Sequence, residues 1–120
     1  MPSKQTLDAF IAMVVGGRHD EAIARFYHPD SIMQENLNPP RKGRDGNVVR
    51  ERAVMDRFKE IHSAAEGPVF VNGDHVVIRW VFRFVAADGS GFTMDELAYQ
   101  RWDGEKIAEE RFYYDPAQRT

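Results

Sequence analysis

The hydrophobic pattern of this chain changes period once, near residue 62, and that change constrains the fold more than any other feature. Before it, apolar residues recur every three or four positions, as they do on amphipathic helices. After it they alternate, and turns at Asn72-Gly73-Asp74, Asp88-Gly89-Ser90-Gly91 and Asp103-Gly104 divide the alternating stretches. The pattern predicts an α+β protein with helices first and an antiparallel sheet second.

Three helices are predicted in the N-terminal half. The first follows an N-cap at Ser3 or Thr6 and ends at Gly16-Gly17. The second runs from about Asp20 to His28, because the residue before a proline disfavours the helical region. The third runs from about Asn47 to His62. The apolar residues expected to face inward share a helical spacing: Leu7, Phe10, Ile11, Val14, Ile23, Phe26, Tyr27, Val54, Met55, Phe58 and Ile61.

Five extended segments and one long loop complete the prediction. The loop, Leu37 to Gly46, has the proline and glycine content of an irregular stretch, and functional loops are often of this kind. The order is helix, helix, strand, helix and then four strands. The extended segments are Ser31–Asn36, Val69–Val71, His75–Ala86, Phe92–Trp102 and Lys106–Tyr114.

Length, charge and cysteine content exclude several classes of function. The 120 residues suffice for one domain, 1–120, with its own core. The net charge is −3 and the basic residues are scattered apart from Arg41-Lys42-Gly43-Arg44, so no nucleic-acid partner is expected. The chain has no cysteine, which excludes disulfides and fits a reducing cytoplasm.

No membrane, metal or cofactor is expected either. The longest early apolar run, Ala9 to Val15, is far shorter than the ~20 residues of a membrane span. The chain has no His-Glu-x-x-His spacing, phosphate loop or dinucleotide fingerprint. His28 and His62 are expected to lie at helix ends and interact with carbonyl groups there.

The last two strands place carboxylates among aromatic residues. In Phe92 to Trp102 the even-numbered positions are the more apolar set, and they include Glu96 and Gln100. A bulged loop after Trp102 would pair even positions with even positions, whereas a two-residue turn would pair even with odd. We favour the bulged loop, which places Glu96 and Glu110 on one inward face. The neighbours expected on that face are Gln100, Phe112 and Tyr114.

Buried carboxylates must be paired, hydrogen-bonded or neutralised by a raised pKa. The alternative is that Glu96 and Glu110 are solvated or form ion pairs with arginines of the sheet. Trp80 also has two interpretations: it is a core residue, or it stacks on a ligand. Glu35, at the end of the first strand, is a candidate general base, although a surface carboxylate is the commoner case. The arginines in reach would be Arg79, Arg83 and Arg111.

Three motifs together resemble the SnoaL-like branch of the nuclear transport factor 2-like (NTF2-like) superfamily, which is related to ketosteroid isomerases and polyketide cyclases. They are Gly17-Arg-His-Asp-Glu-Ala-Ile-Ala-Arg-Phe-Tyr-His-Pro-Asp-Ser-Ile32, Gly43-Arg-Asp45 and Glu96-x-Ala-x-Gln-Arg-Trp-Asp-Gly-Glu-Lys-Ile-x-Glu-Glu-Arg-Phe-x-Tyr-Asp-Pro116. The resemblance implies a cone-shaped barrel in which a curved, mostly antiparallel sheet wraps about three N-terminal helices around a deep apolar pocket. It also implies a homodimer.

Transferred residue by residue, the resemblance puts Glu35 at the position of the proton-abstracting carboxylate of the isomerases. Ala98 falls where the isomerases have an oxyanion-stabilising acid and the cyclases a catalytic histidine. Phe112 falls where the cyclases have an acid/base aspartate, and Phe10 near the oxyanion tyrosine of the isomerases. The polar groups have moved to neighbouring inward positions, so neither label transfers directly. The Asp-Arg-Asp arrangement of epoxide-opening relatives is not found on the inward positions.

The expectation is therefore a small-molecule pocket protein that performs carboxylate acid/base chemistry on an apolar carbonyl ligand, without a cofactor. The alternative is a noncatalytic ligand-binding or dimerisation module of the same fold. The expected catalytic residues are Glu35, Glu96 and Glu110, and the expected ligand-binding residues are Tyr27, Trp80, Gln100, Phe112 and Tyr114. The homodimer is expected to form through the outer sheet face, with Leu97, Tyr99, Ile107 and Tyr113.

Overall fold

The computed structural model describes residues 1–119. Three α-helices and six β-strands account for most of this range, and a short 3-10 helix, Pro116–Arg119, follows them. The helices are α1 (Lys4–Val15), α2 (His19–Phe26) and α3 (Arg44–Asp56). The strands are β1 (Tyr27–Glu35), β2 (Arg41–Lys42), β3 (Glu60–Asn72), β4 (His75–Val85), β5 (Gly91–Asp103) and β6 (Lys106–Tyr113).

The strands form one curved, unclosed sheet in the order β2-β1-β6-β5-β4-β3. All neighbours are antiparallel except β1 and β6, which run parallel. The three helices pack against this sheet and against each other. The α+β class, the mostly antiparallel sheet and the N-terminal helices are therefore as the sequence predicts.

The core lies between the helices and the concave face of the sheet. Even-numbered residues of β4 and β5 point into it, including Ile78, Trp80 and Trp102, which are almost completely buried. Phe10 of α1 makes edge-to-face contacts with aromatic rings of four different elements, an arrangement that the ring quadrupoles favour. Helix α1 is thus fixed across the face of the sheet. The rings around Phe10 are Phe26, Tyr27, Trp80 and Trp102.

The predicted pairing of even with even positions in the last two strands is confirmed, but it does not arise from a bulged loop. The loop is a two-residue turn, Gly104-Glu105, between the paired residues Asp103 and Lys106, and the bulge lies within β6. Gln100 pairs with Glu110, and Ala98 pairs with Phe112, so even positions oppose even positions. The register shifts next to Trp102, which pairs with Ile107 and leaves Ala108 without an opposite residue. This extra residue brings Glu110 to the concave face.

The same bulge corrects one prediction. Ile107 was expected on the outer face, but it is completely buried and belongs to the core. Before the extra residue the inward positions of β6 are odd, and after it they are even. The inward positions of β6 therefore change from odd to even along the strand, and a prediction from strict alternation cannot detect this change.

The third helix also differs from its prediction. It ends at Asp56, and Glu60 already belongs to β3, so Ile61 and His62 are strand residues. The Lys59 amide donates to the carbonyl of Val85, which starts pairing with β4 immediately after the helix. Tertiary pairing has overridden the helical spacing of Phe58 and Ile61, which lie beyond the end of the helix.

Two further boundaries were predicted wrongly. Helix α2 ends at Phe26, and Tyr27 starts β1, although its side chain is buried as expected. The predicted loop contains the short strand β2, and α3 already begins at Arg44 within it. Gly43, with a φ of 106°, makes the turn between them, a backbone conformation that residues with a Cβ rarely adopt. Among residues 1–119, no helix combines the length and apolar character needed to cross a membrane.

Candidate functional site

A cavity of about 460 Å³ lies between the concave face of the sheet and the three helices. Eight aromatic side chains line it, and they come from both layers of the fold. Four carboxylates also reach it: Glu35, Glu51, Glu96 and Glu110. The aromatic lining residues are Phe10, Tyr27, Phe58, Trp80, Phe82, Phe84, Phe92 and Phe112.

Glu110 sits at the centre of a buried hydrogen-bond network. The Tyr27 hydroxyl donates to its Oε1, and Gln100 Nε2 donates to its Oε2 at 2.6 Å. Trp102 Nε1 in turn donates to Gln100 Oε1 at 3.0 Å, which fixes the orientation of that amide. Burial raises the pKa of Glu110 to about 7, against the lowering effect of the bonds from Tyr27 and Gln100.

Glu96 lines the same cavity but has no partner. No other side chain or backbone group in residues 1–119 forms a hydrogen bond or ion pair with its carboxyl group. Burial raises the pKa of Glu96 to about 8, and the nearby charges of Glu35 and Glu110 add to this effect. The guanidinium of Arg119 opposes it. At neutral pH this carboxyl group is therefore mostly protonated and can donate a hydrogen bond into the cavity.

Glu35 has the opposite environment. Its Oε2 lies 3.0 Å from Arg41 Nη1, and its Oε1 accepts a hydrogen bond from the Tyr114 hydroxyl at 3.1 Å. Arg119 Nη2 is 3.5 Å from the same Oε1. Glu35 is an ion-paired carboxylate at the cavity wall, and Glu96 is an unpaired one.

Arg119 was not found by sequence reasoning. It belongs to the C-terminal 3-10 helix, which Gln118 attaches to β5 through hydrogen bonds with the backbone amide and carbonyl of Asp95. The Arg119 guanidinium donates to the Tyr114 hydroxyl at 2.9 Å and lies above the Tyr114 ring. Nothing in the local sequence marks Arg119 as a cavity residue, because only the fold of the last residues over β5 brings it there.

His19 is a second cavity residue that was missed. Its Nε2 is 2.8 Å from Ser63 Oγ, its Nδ1 is 3.5 Å from Glu51 Oε1, and its ring packs on Phe82. Both ring nitrogens thus have neighbours in other elements, which links α2 to α3 and β3. The position of His19 in the first turn of a helix gave no signal of this role.

Six of the eight predicted site residues line the cavity: Tyr27, Glu35, Trp80, Glu96, Glu110 and Phe112. Gln100 is completely buried behind Glu110, and Tyr114 contacts the site through Glu35. The alternative ion pairs with sheet arginines are not formed, since Arg79 binds Asp95 and Arg111 donates to the carbonyl of Asn36. No group of three metal-ligating side chains occurs within residues 1–119.

The positions that the family resemblance singled out are occupied by apolar side chains. Ala98 is completely buried and lies opposite Phe112 across the β5–β6 pair. Phe112 lines the cavity. The acidic groups that remain, Glu96 and Glu110, lie one inward step from Ala98 and Phe112 respectively. The carboxylates of the cavity therefore lie at positions shifted from those that the family resemblance singled out.

The fold is that of the NTF2-like class, and comparison with known families makes the assignment specific. The SnoaL-like domain family matches residues 7–110, so the chain belongs to that family. No curated protein sequence matches the chain significantly.

Solved structures of similar proteins cover nearly the whole chain. A Mesorhizobium loti protein described as a SnoaL-like polyketide cyclase is 28% identical, with a TM-score of 0.72 over 92% of this chain and 97% of that one. A Catenulispora acidiphila protein with a ketosteroid isomerase-like fold, solved in complex with trimethylamine, is 18% identical, with a TM-score of 0.79 over 97% and 89%. A Burkholderia pseudomallei NTF2-like protein of unknown function is 18% identical, with a TM-score of 0.78 over 94% and 90%. Members of this fold differ widely in activity, so the reaction must be argued from the site.

Proposed function

We propose that this protein catalyses proton transfer on an apolar carbonyl ligand held in the cavity, in the manner of an isomerase or cyclase. The observation that carries the proposal is the contrast between two cavity carboxyls. Glu35 is paired with Arg41 and is the candidate base, and Glu96 is unpaired with a pKa of about 8. Placing two carboxyl groups of one cavity in different surroundings is how acid and base roles are divided in enzymes.

In the proposed reaction, Glu35 removes a proton from the carbon next to the carbonyl. Negative charge then develops on the carbonyl oxygen, and the protonated Glu96 donates a hydrogen bond to it. The proton returns from Glu35 to another carbon of the same ligand, so no other reactant is consumed. One preorganised donor to such an oxygen contributes about 3 kcal/mol of transition-state stabilisation, or roughly a hundredfold in rate.

Glu110 has a supporting role in this proposal. Both of its oxygens accept hydrogen bonds from Tyr27 and Gln100, so it is less available to a ligand than Glu96. Its charge contributes to the raised pKa of Glu96. Trp80 and Phe112 would supply apolar contacts with the ligand rings, and Tyr114 would orient Glu35.

The test is exchange of the acidic C–H protons of β-tetralone, a bicyclic ketone, followed by NMR in deuterated water with purified protein. The wild-type protein is expected to accelerate exchange, and Glu35→Gln to abolish the acceleration. Glu96→Met removes the donor and is expected to slow exchange roughly a hundredfold, whereas Glu96→Gln retains an N–H donor and loses less. The wild-type rate should fall as Glu96 ionises near pH 8, and this fall should be absent in Glu96→Gln.

Glu109→Gln is the matched control, because Glu109 is an exposed carboxylate of β6 paired with Arg101. It is expected to exchange at the wild-type rate. Equal exchange rates for wild type, Glu35→Gln and Glu96→Met would contradict the proposed reaction.

A second candidate function is noncatalytic binding of a small cationic amine. An unpaired carboxylate surrounded by aromatic rings favours an ammonium group through charge and cation–π attraction. The Catenulispora acidiphila neighbour was solved with trimethylamine, which supports the choice of amine as a probe. Calorimetry separates the candidates at pH 7. Binding of tetramethylammonium would release the Glu96 proton and be lost in Glu96→Gln, whereas a neutral ketone would leave that proton in place.

We also propose a homodimer through the outer sheet face, without the Ile107 contact that the sequence suggested. Leu97, Tyr99 and Tyr113 expose more than two-fifths of their surface on that face. Clusters of exposed apolar side chains mark association surfaces. Sedimentation at micromolar concentration tests the proposal: a dimer that Tyr99→Lys converts to a monomer supports it, and a wild-type monomer refutes it.

A further inference from the structure

The side of α3 that borders the cavity carries charge, and Arg50 and Arg57 on that side are also exposed to solvent. Arg50, Glu51, Val54, Arg57 and Phe58 all line the cavity, at the three- and four-residue spacing of one helix face. The corresponding stripe of a helix packed on a core is normally apolar. Three of these five residues lie within α3, Arg57 is its C-cap and Phe58 follows the C-cap; three of the five are charged.

Arg50 and Arg57 are also without partners. Neither side chain forms an ion pair or hydrogen bond within residues 1–119, whereas the other cavity arginines, Arg41 and Arg119, bind Glu35. Arg52, on another face of the same helix, pairs with Asp20 at 3.0 Å. The partnerless arginines are thus the two that face the cavity from α3.

The neighbouring charges do not cancel these two cations. Glu51 is the one acidic residue of the stripe, and its Oε1 lies 3.5 Å from His19 Nδ1, in another helix. Glu96 and Glu110 are on the sheet. Their pKa values of about 8 and about 7 reduce their negative charge at neutral pH. The cavity therefore has two cations on its α3 side and, in Glu96, a proton donor on the sheet side.

We propose that Arg50 and Arg57 bind a carboxylate of the ligand, so that the cavity accepts an apolar carbonyl compound that also carries a carboxylate group. The carbonyl oxygen meets Glu96, and the carboxylate lies at the α3 side, next to solvent. The planar guanidinium groups match a carboxylate with two parallel hydrogen bonds each. This inference names the substrate class of the proposed function and rests on it.

The experiment measures equilibrium binding by calorimetry, independently of turnover. The probes are a β-tetralone with a carboxylate on the ring far from the ketone, and the matching uncharged carboxamide. Wild type is expected to bind the carboxylate more tightly, by about fivefold for each arginine at low salt. Arg50→Gln and Arg57→Gln should each lose about that factor for the carboxylate, and neither should change binding of the carboxamide.

Arg83→Gln is the matched control, since Arg83 is an exposed arginine of β4 outside the cavity lining and has no ion pair within residues 1–119. It is expected to keep the full preference. Equal binding of the two probes by wild type, or no binding of either, overturns the proposal. The double Arg50→Gln, Arg57→Gln variant could keep the preference for the carboxylate probe while Arg41→Gln loses it. That result would assign the carboxylate to Arg41 and would also overturn the proposal. Ketone exchange catalysed without any carboxylate preference would overturn this inference alone.

Discussion

Replacing Glu96 by glutamine should change how the stability of the protein depends on pH. The pKa of Glu96 is about 8 in the folded chain, against an ordinary value of 4.5 in the unfolded chain. Between these values the folded state holds a proton that the unfolded state has released, so the free energy of unfolding falls as pH rises. One unit of pKa corresponds to about 1.4 kcal/mol, so Glu96 should remove about 4 kcal/mol of stability between pH 5 and pH 9.

Glutamine is uncharged throughout this range and nearly the same size as glutamic acid. The free energy of unfolding of Glu96→Gln, minus that of wild type, should therefore increase by about 4 kcal/mol from pH 5 to pH 9. Urea unfolding followed by tryptophan fluorescence is a suitable assay, because both tryptophans, Trp80 and Trp102, are buried. Subtracting the free energies of unfolding of the two proteins at each pH cancels the contributions of the other titrating groups.

Glu109→Gln supplies the comparison for an exposed carboxylate that is paired with Arg101. Its difference from wild type should vary by less than about 1 kcal/mol over the same pH range. A Glu96→Gln difference that is constant with pH would show that Glu96 titrates normally, and the reasoning from its burial would be wrong.

Three further perturbations test other parts of the structure. Tyr27→Phe removes a hydrogen bond that favours the ionised form of Glu110, so NMR titration should show a further rise in the pKa of Glu110. The free energy of unfolding should fall by about 1 to 3 kcal/mol. An unchanged pKa would refute the contact. Gly91→Ala places a Cβ 2.0 Å from the carbonyl oxygen of Phe84 and should destabilise the protein by more than about 1 kcal/mol in thermal unfolding. Gly46 lies in α3 with open space around it, so Gly46→Ala should stabilise the protein by about 0.5 to 1 kcal/mol in the same assay. Gln118→Ala releases the segment that holds Arg119 near Glu35, so the pKa of Glu96 should rise further; a fall would contradict the assigned effect of Arg119.

The sequence predicted the fold and the inward face of β5 because strong signals agree there. Residues 92–102 alternate strictly, and Asp103-Gly104 marks the turn, so the inward positions of Glu96 and Gln100 followed directly. The position of Ile107 could not be predicted by the same rule, because one unpaired residue reverses the alternation within β6. The end of α3 was missed for a related reason, since pairing with β4 decides where β3 begins.

The site was predicted where it depends on strand alternation and missed where it depends on distant packing. Glu96 and Glu110 were found from parity, but the difference in their partners was not, because it depends on Tyr27 from another strand. Arg119 and His19 reach the cavity through the C-terminal 3-10 helix and the first turn of α2. No spacing in the sequence relates these segments to β5, so only the folded chain shows that they line the same cavity.

The central claim is that the cavity holds a protonated carboxylic acid at neutral pH beside an ion-paired carboxylate. Carbon-13 NMR of the glutamate side-chain carboxyl groups measures this directly, with Glu96→Gln and Glu110→Gln used to assign the signals. The account predicts that Glu96 titrates with a midpoint near 8, after Glu110 with a midpoint near 7. Midpoints near the ordinary value of 4.5 for both groups would contradict it.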